Sequence, residues 1–405
     1  MTELKNLTKV KDAALSCVAC GQCRNPLWPA KGRFGVCPVY ETDFTPKFEP
    51  YFARGKNTIL KGLLWNELPL SDDLAQIFFQ CTGCGSCEEF CQNAQNPNIE
   101  FVTHKWMENV KVYEALRADL VEAGFGLEEH NEMNRILEKL DNPYGREPSD
   151  KLSWVNELDF EIKDASTEPV EYLYYVGCTS ALSPPTQIIA RATATILNKL
   201  GVDFGILGAK EVCCGSVAKR TGNLQVFSSI QEKNINLFQE LGIKKIITSC
   251  AGCYRTFLKD YKGKFTGIDV IHTSEFIINL LKQTNINLKK LDVTTTYHDP
   301  CHLGRHCGFY EPPREFLRQI SNFHEMDRVR QNAMCCGAGG GVKKAFPDLS
   351  SEIAVNRMRE AEKTNATYII STCPFCHRNL MDCIQTLNSP IEMHDLTELI
   401  LQALD

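Results

Sequence analysis

The C-terminal half of the chain repeats one block of five cysteines, and this repeat constrains the possible folds more than any other feature. Corresponding cysteines of the two copies are separated by 122 or 123 residues. The first copy contains Cys178, Cys213, Cys214, Cys250 and Cys253, and the second contains Cys301, Cys335, Cys336, Cys373 and Cys376. The repeat predicts two equivalent sulfur-rich sites, most simply two metal clusters.

The composition is that of a globular protein with two or three domains. The chain has 405 residues, of which 43% are hydrophobic and 23% charged, and its net charge is −6. No basic stripe indicates nucleic-acid binding. No apolar run has membrane-spanning length, and the first twelve residues lack the apolar core of a signal peptide. We therefore expect a cytoplasmic protein, peripheral to a membrane only through a partner subunit. In that reducing compartment, twenty cysteines indicate metal ligands or redox groups rather than disulfides.

The N-terminal part contains two CxxCxxC triplets, each followed by a fourth cysteine. This pattern is typical of bacterial ferredoxins with two [4Fe–4S] cubanes, in which the fourth cysteine ligates the other cluster. We therefore assign the first cubane to Cys17, Cys20, Cys23 and Cys91. The second is assigned to Cys81, Cys84, Cys87 and Cys37. Zinc is the alternative, but it takes four ligands that usually come from two separated pairs, which the triplets match poorly.

The segments between these motifs predict further elements. Thirteen residues separate Cys23 from Cys37, where the ferredoxin spacing is three, so residues 24–36 are expected to form a loop over the cluster. Residues 67–90 predict a helix whose apolar residues pack inward, namely Leu68, Leu74, Ile77 and Phe78. The predicted domains are a helical ferredoxin-like domain (1–110), a helical connector (111–168) and two cysteine-block domains (169–290 and 291–405).

Each cysteine block alternates short apolar strands with helices. Strand-like runs at residues 171–176 and 293–298 precede the first cysteine of each copy, and runs at 245–249 and 368–372 precede the last pair. The predicted fold class is α+β overall: a helical ferredoxin-like module followed by two α/β domains with parallel sheets. The cysteines would then lie at the carboxyl ends of strands, where open α/β sheets bind ligands.

The number of cysteines in each block bears on its chemistry. Zinc takes four protein ligands, and so does an ordinary cubane. A fifth cysteine, with two of the five adjacent in sequence, indicates a cluster of unusual shape or a thiolate that bridges two irons. A thioredoxin-like dithiol at each CxxC is the rival interpretation. That interpretation leaves the adjacent pairs Cys213–Cys214 and Cys335–Cys336 without a role.

Residues 169–405 resemble the tandem cysteine-rich CCG domains of heterodisulfide reductases, and the whole chain resembles the D-type subunits of these enzymes. The similarity is strongest in residues 297–306, 335–343 and 372–378. The resemblance implies that each block binds a noncubane [4Fe–4S] cluster through its five cysteines. It also implies that a disulfide, such as the heterodisulfide of coenzymes M and B, lies between the clusters and is cleaved by one electron from each, or formed in reverse.

The resemblance leaves two functions open. The first is an oxidoreductase acting on a sulfur group, with two cubanes, two noncubane clusters and no flavin or nicotinamide on this chain. The second is an electron-relay component of a larger complex, of the benzoyl-CoA reductase, quinone-linked or flavin-dehydrogenase type. Both imply a partner that donates electrons, such as a flavoprotein or a cytochrome b. A small thiol or disulfide would be the substrate of the first.

Several residues beside the cysteines are candidate substrate contacts. Arg305, Lys343 and Arg378 lie beside cluster ligands and could bind an anionic thiol, although each could also be a solvated charge. His302 is a candidate contact of the substrate or of a cluster ligand, and metal ligation is the rival interpretation. Asp299 and Pro300 predict a helix start beside Cys301. The two remaining cysteines, Cys307 and Cys383, are expected to be buried as small apolar residues.

Overall fold

The computed structural model describes residues 3–24, 27–28, 32–33, 35–91, 107–284 and 286–404, with only the backbone at 27–28 and 32–33. The chain forms two compact units. The first comprises Met1–Glu132, Val217–Leu224 and Arg328–Arg357, and the second comprises Met133–Ser216, Gln225–Asp327 and Met358–Asp405. The four predicted domain boundaries stay a prediction.

The first unit is helical. Its helices are Lys5–Thr8, Lys11–Leu15, Ala53–Leu64, Asp72–Phe79, Ser86–Glu89, Asn109–Glu122 and Val342–Ala345. Their apolar faces form one core, which includes Leu60, Phe78, Phe79 and Leu116. The predicted loop at 24–36 contains a short antiparallel pair, Leu27–Trp28 with Gly32–Arg33. Whether its aromatic side chains cover a cluster lies outside the described residues.

The predicted helix at 67–90 is wrong as a single element. The chain forms the helices Asp72–Phe79 and Ser86–Glu89 instead. The first begins where the Ser71 hydroxyl accepts a hydrogen bond from the Leu74 amide at 3.3 Å, a typical N-cap. The two helices are separated by Gly83 and Gly85, whose φ angles of +64° and +74° cannot continue a helix. Leu68 precedes the helix and is 43% exposed, not packed inward.

The second unit contains two parallel sheets. In spatial order, the strands of the first are Lys163–Asp164, Phe204–Ile206, Tyr172–Tyr175, Lys245–Thr248 and Asp269–His272. Those of the second are Glu392–Asp395, Tyr368–Ser371, Thr294–Tyr297 and Asn322–Phe323. The predicted strands at 171–176, 245–249, 293–298 and 368–372 are confirmed, each one or two residues shorter. The two sheets confirm the predicted parallel α/β repeats.

Helices accompany these sheets and share a buried core with them. Those of the second unit are Cys178–Leu182, Gln187–Lys199, Ala251–Arg255, Thr273–Thr284, Glu311–Ile320, Pro374–Leu387 and Leu396–Leu404. Four more, Glu128–Leu140, Ser216–Arg220, Leu224–Glu240 and Pro347–Glu362, include residues of both units. Tyr174 and Ile247 from the first sheet lie in the same apolar cluster as Tyr297 and Ile370 from the second. No helix in the described part of the chain is both long and apolar enough to cross a membrane.

The predicted helix start at Asp299 is wrong. Residues 301–307 form successive turns rather than a regular helix. The Asp299 carboxylate instead accepts two hydrogen bonds from the buried Arg314 guanidinium, at 2.7 and 2.6 Å. Such a paired arrangement is a strong interaction of a planar guanidinium with a carboxylate. It anchors the segment that leads into Cys301.

Candidate metal centres

The first cysteine triplet lies on a turn after helix Lys11–Leu15. Ala19 and Gly21 adopt positive φ angles there, which wrap the backbone around the thiols. The Ala19 amide lies 3.4 Å from Cys17 Sγ. Burial is the main reason that the pKa of Cys23 is raised to about 12. A backbone hydrogen bond from Arg54 opposes this change, and the neighbouring thiols Cys17 and Cys37 add to it. The fourth predicted ligand, Cys91, ends a described segment, and its place in this cluster stays a prediction.

The second cysteine set lines one cavity. Cys37 lies there with Cys81, Cys84 and Cys87, although it follows the first triplet in sequence. The Gly83 amide lies 3.5 Å from Cys81 Sγ. Burial raises the pKa of Cys37 to about 12 and is the main reason that the pKa of Cys87 lies well above its usual value.

A buried lysine that was not among the predicted site residues also lines this cavity. Lys56 is 2% exposed, and its Nζ donates a hydrogen bond to the Pro50 carbonyl at 2.6 Å. Burial lowers the pKa of Lys56, while the charges of Cys81 and Cys37 raise it. A sequence signal did exist, because Lys56 lies on the same helical face as the buried Ala53 and Leu60.

These residues fit an anionic iron–sulfur cubane. Thiols with raised pKa values do not ionise together in a buried cavity unless a cation compensates their charge. Iron supplies that charge, and four thiolates are the usual ligand number of a cubane. The Gly83 amide and the Lys56 ammonium stabilise negative charge at the sulfurs.

The first five-cysteine block is assembled within the second unit. Cys178 Sγ lies 3.8 Å from Cys213 Sγ, and four of the five side chains are buried. Hydrogen bonds from Cys178 and then Cys214 hold the pKa of Cys213 well below its usual value. The bond that Cys178 donates to Cys213 raises the pKa of Cys178, and burial raises it further. Burial opposes the ionisation of several of these thiols at once, and a bound metal cation would compensate their charge.

A buried glutamate fixes two parts of this block. The Glu211 carboxylate accepts hydrogen bonds from the Val176 and Gly177 amides at 2.9 and 2.8 Å. It thereby ties the strand end before Cys178 to the segment before Cys213. Burial raises the pKa of Glu211 to about 7, against the opposing effect of Lys151. No local pattern signals this contact, because it joins two distant segments.

The cysteine pairs that end the two blocks meet in the second unit. The thiols of Cys250 and Cys376 interact with the Cys373 sulfur. The interaction with Cys250, and then that with Cys376, holds the pKa of Cys373 well below its usual value. Cys301 belongs to the same unit, whereas Cys335 and Cys336 belong to the first unit. Assembly of all five cysteines of the second block therefore stays a prediction.

Within the first unit, the glycine loop after Cys336 contacts the ferredoxin-like module. A Cβ atom at Gly340 would lie only 2.5 Å from the Cys81 carbonyl oxygen, and one at Gly339 only 2.6 Å from the Thr82 carbonyl oxygen. The buried Arg117 guanidinium donates to the carbonyls of both Cys81 and Gly340. A cubane ligand and a residue close to the cysteine pair 335–336 are thus held together by one side chain.

The candidate substrate contacts occupy different places. His302 lies beside the Cys250–Cys253 turn: a Cβ atom added at Gly252 would be 3.8 Å from His302 Nδ1. The Arg378 guanidinium carbon lies 5.4 Å from the centre of the Tyr144 ring. The Tyr144 hydroxyl in turn lies 3.0 Å from the Thr179 hydroxyl, next to Cys178. Arg305 is buried rather than solvated, and Lys343 belongs to the first unit.

Comparisons with known proteins agree with this arrangement. A family model of a 4Fe-4S dicluster domain matches residues 13–94, and a model of a cysteine-rich domain matches residues 172–258 and 295–381. The D-type subunit of the dihydromethanophenazine:CoB–CoM heterodisulfide reductase of Methanosarcina acetivorans is 37% identical over 99% of this chain and 97% of its own length. The EtfAB:quinone oxidoreductase of Syntrophomonas wolfei is 26% identical over 96% of this chain and 58% of its own length.

One solved structure shares the fold. A hypothetical protein from Helicobacter pylori superposes with a TM-score of 0.53 at 11% identity, covering 88% of this chain and 68% of its own. The Methanosarcina relative is named as a reductase subunit and the Syntrophomonas relative as an oxidoreductase. The cysteine patterns and the near-complete alignment lead to one conclusion: the chain belongs to the family of D-type heterodisulfide reductase subunits, which are iron–sulfur oxidoreductase subunits.

Proposed function

We propose that this chain is the catalytic iron–sulfur subunit of a disulfide reductase of the heterodisulfide reductase type. The observation that carries the proposal is the closeness of the two cysteine blocks, where the Cys250 thiol interacts with Cys373. Two neighbouring sulfur-rich sites give a small disulfide one site for each of its sulfur atoms. The M. acetivorans relative is named for the CoB–CoM heterodisulfide, and we propose the same class of substrate here.

The proposed cofactors are two cubanes and two noncubane [4Fe–4S] clusters. Cys17, Cys20, Cys23 and Cys91 hold the first cubane, and Cys37, Cys81, Cys84 and Cys87 hold the second. The noncubane clusters take the five cysteines of the first block and the five of the second. When bound, these clusters supply the electrons for the reaction, one at a time. Thiolate is the ligand type that iron–sulfur clusters require, which is why cysteines fill all of these positions.

The reaction balances with two electrons and two protons. The disulfide bond breaks, each sulfur gains one electron and one proton, and two thiols leave. The electrons come from a redox partner such as a flavoprotein or a cytochrome b, and the reverse reaction returns them. We propose His302, beside the Cys250–Cys253 turn, and Arg378, beside the Tyr144 ring, as the contacts of an anionic thiol. We propose a cytoplasmic location, with any membrane contact made through the partner.

The second candidate function is electron relay without a disulfide substrate. It is favoured by the similarity to the EtfAB:quinone oxidoreductase, whose name contains no disulfide. A relay requires clusters within electron-transfer distance of each other but no place for substrate sulfur. The two functions therefore differ in whether reduced protein can cleave a disulfide by itself.

A single-turnover experiment distinguishes them. The full chain, with clusters reconstituted anaerobically and then reduced by a chemical donor, is mixed with the CoB–CoM heterodisulfide, and the released thiols are counted. We expect thiol release with the wild type, with Cys307→Ala and with Cys383→Ala, because these two cysteines belong to neither block. Cys250→Ser should abolish release. Reduced protein that passes electrons to a dye but releases no thiol would instead establish the relay function.

A further inference from the structure

A chain of three buried side chains ends at one ligand of the second cubane. The Asn109 side-chain amide donates to Cys87 Sγ at 3.3 Å. The Asn57 amide donates to Asn109 Oδ1 at 3.0 Å, and the Tyr113 hydroxyl donates to Asn57 Oδ1 at 3.1 Å. All three residues are at most 3% exposed. They come from two different helices, Ala53–Leu64 and Asn109–Glu122.

The Cys87 sulfur fixes which end of Asn109 faces it. The oxygen and nitrogen of an amide have nearly the same shape, so an isolated asparagine could present either one. A thiolate ligand of a cluster can only accept a hydrogen bond, so Asn109 turns its NH₂ group toward Cys87 Sγ. Asn109 Oδ1 then accepts from the Asn57 amide, and Asn57 Oδ1 accepts from the Tyr113 hydroxyl, which also lies 3.4 Å from the Ala53 carbonyl oxygen.

We propose that Asn109 is a positioning residue that raises the reduction potential of the second cubane, and that Asn57 and Tyr113 act through it. The inference rests on the proposed function, because it requires a cluster at Cys37, Cys81, Cys84 and Cys87. A reduced cluster carries one more negative charge than an oxidised cluster. A hydrogen bond to a ligand sulfur therefore stabilises the reduced form more than the oxidised form. Consecutive bonds polarise one another, so the tyrosine adds to the effect at the sulfur.

The hydrogen bonds among these three side chains offset the cost of burying their polar groups. A buried asparagine costs folding free energy unless its polar atoms are satisfied. Here Asn57 and Asn109 satisfy each other, and one amide hydrogen is left for the sulfur. Residues that fix the orientation of a metal ligand in this way commonly alter metal affinity or potential when they are changed. The chain thus gives the second cubane a property that the cysteine pattern alone does not specify.

The test is a potentiometric titration of the full chain, followed by EPR, with the two cubane signals assigned by their loss in Cys17→Ser and Cys87→Ser. Asn109→Leu should shift the reduction equilibrium of the second cubane about tenfold toward the oxidised form, about 59 mV for one electron. Asn109→Asp should shift it further, because a negative acceptor replaces the donor. Tyr113→Phe, which removes one hydroxyl only, should shift it about twofold to threefold in the same direction.

The first cubane is the internal control and should keep its potential in all three variants. The inference would be overturned if Asn109→Leu bound its full iron content and the reduction equilibrium of its second cubane lay within twofold of the wild-type value. An equal shift of both cubanes, which indicates general loosening, would also overturn it. If Asn109→Leu fails to bind iron, Tyr113→Phe decides the question. A wild-type chain without a Cys87-dependent cubane would instead overturn the cluster assignment, and this inference with it.

Discussion

Arg117 joins two loops of the first unit: the cubane loop, residues 81–86, and the glycine loop that follows Cys336. A substitution of Arg117 therefore tests how these two loops are held together. The Arg117 side chain is 2% exposed and donates hydrogen bonds to four backbone carbonyls, those of Phe78, Cys81, Arg220 and Gly340. We expect Arg117→Met, which has a similar length and no donors, to free the cubane loop and the glycine loop from each other.

The size of the effect follows from these bonds. Each carbonyl that loses a charge-assisted partner in a buried site costs about 1–3 kcal/mol. The variant recovers part of this because it no longer buries a charge, whose desolvation lowers the pKa of Arg117. A net loss of about 3 kcal/mol is expected, within the range for removing one partner of a buried charged network. At 1.4 kcal/mol per factor of ten, this corresponds to about a hundredfold increase in local opening.

Native-state hydrogen exchange measures that opening directly. Peptides that contain Cys81–Ser86 or Gly339–Val342 should lose about a hundredfold of their protection in Arg117→Met. Peptides from the sheets of the second unit should keep theirs. Lys111→Met is the matched control, because Lys111 lies on the same helix, forms an exposed ion pair with Glu108 and should change neither loop. Less than fivefold loss of protection in the two loops, or uniform loss across the chain, would show that Arg117 does not hold these loops together.

Two further predictions concern the same contact. Gly340→Ala should sharply lower the iron content, because its Cβ would lie 2.5 Å from the Cys81 carbonyl oxygen. Gly242→Ala is the control: this glycine has the same φ of +65° but open space around it, so the substitution should cost only about 1 kcal/mol of backbone strain. Equal iron contents in the two variants would contradict the prediction. His130 Nε2 lies 3.0 Å from the Gly341 carbonyl, and burial lowers the pKa of His130 to about 4. Because the unfolded chain binds that proton more tightly, the histidine's contribution to stability is present above pH 6.5 and is lost as the pH falls toward 4. The free energy of local opening measured by hydrogen exchange at residues 339–342 should therefore fall by about 2 kcal/mol from pH 7 to pH 5 in the wild type. It should not fall in His130→Gln. An equal fall in both proteins would exclude His130 as the cause.

Local sequence patterns predicted the repeated strands well. Residues 245–249 and 368–372 are short runs of β-branched and apolar side chains, and such runs favour buried strands whatever the rest of the chain does. The position of Cys37 in the cavity of the second triplet also followed from the sequence, because the fourth cysteine of a two-cluster ferredoxin lies beside the other triplet. The strand prediction needs only a short segment, whereas the position of Cys37 follows from a known cysteine pattern.

Predictions failed where a distant residue decides the local structure. Asp299 has the composition of a helix cap, but its carboxylate binds Arg314, fifteen positions away. The helix expected at 67–90 is interrupted by Gly83 and Gly85, which the cysteine loop requires at positive φ. Lys56, Asn109 and Glu211 were missed because each acquires its role from a contact between separate segments. A single sequence contains little information about such pairs.

We propose that substrate sulfur binds directly at the clusters of the two cysteine blocks, and EPR spectroscopy with bound thiol tests this proposal. The anaerobically prepared chain is oxidised with and without coenzyme M or coenzyme B, and then with the same thiol labelled by a sulfur isotope that has nuclear spin. We predict a paramagnetic signal that appears only with thiol, broadens with the label and is absent from Cys250→Ser. A signal that is the same with and without every thiol, or one that the label does not broaden, would exclude direct binding of substrate sulfur at the clusters.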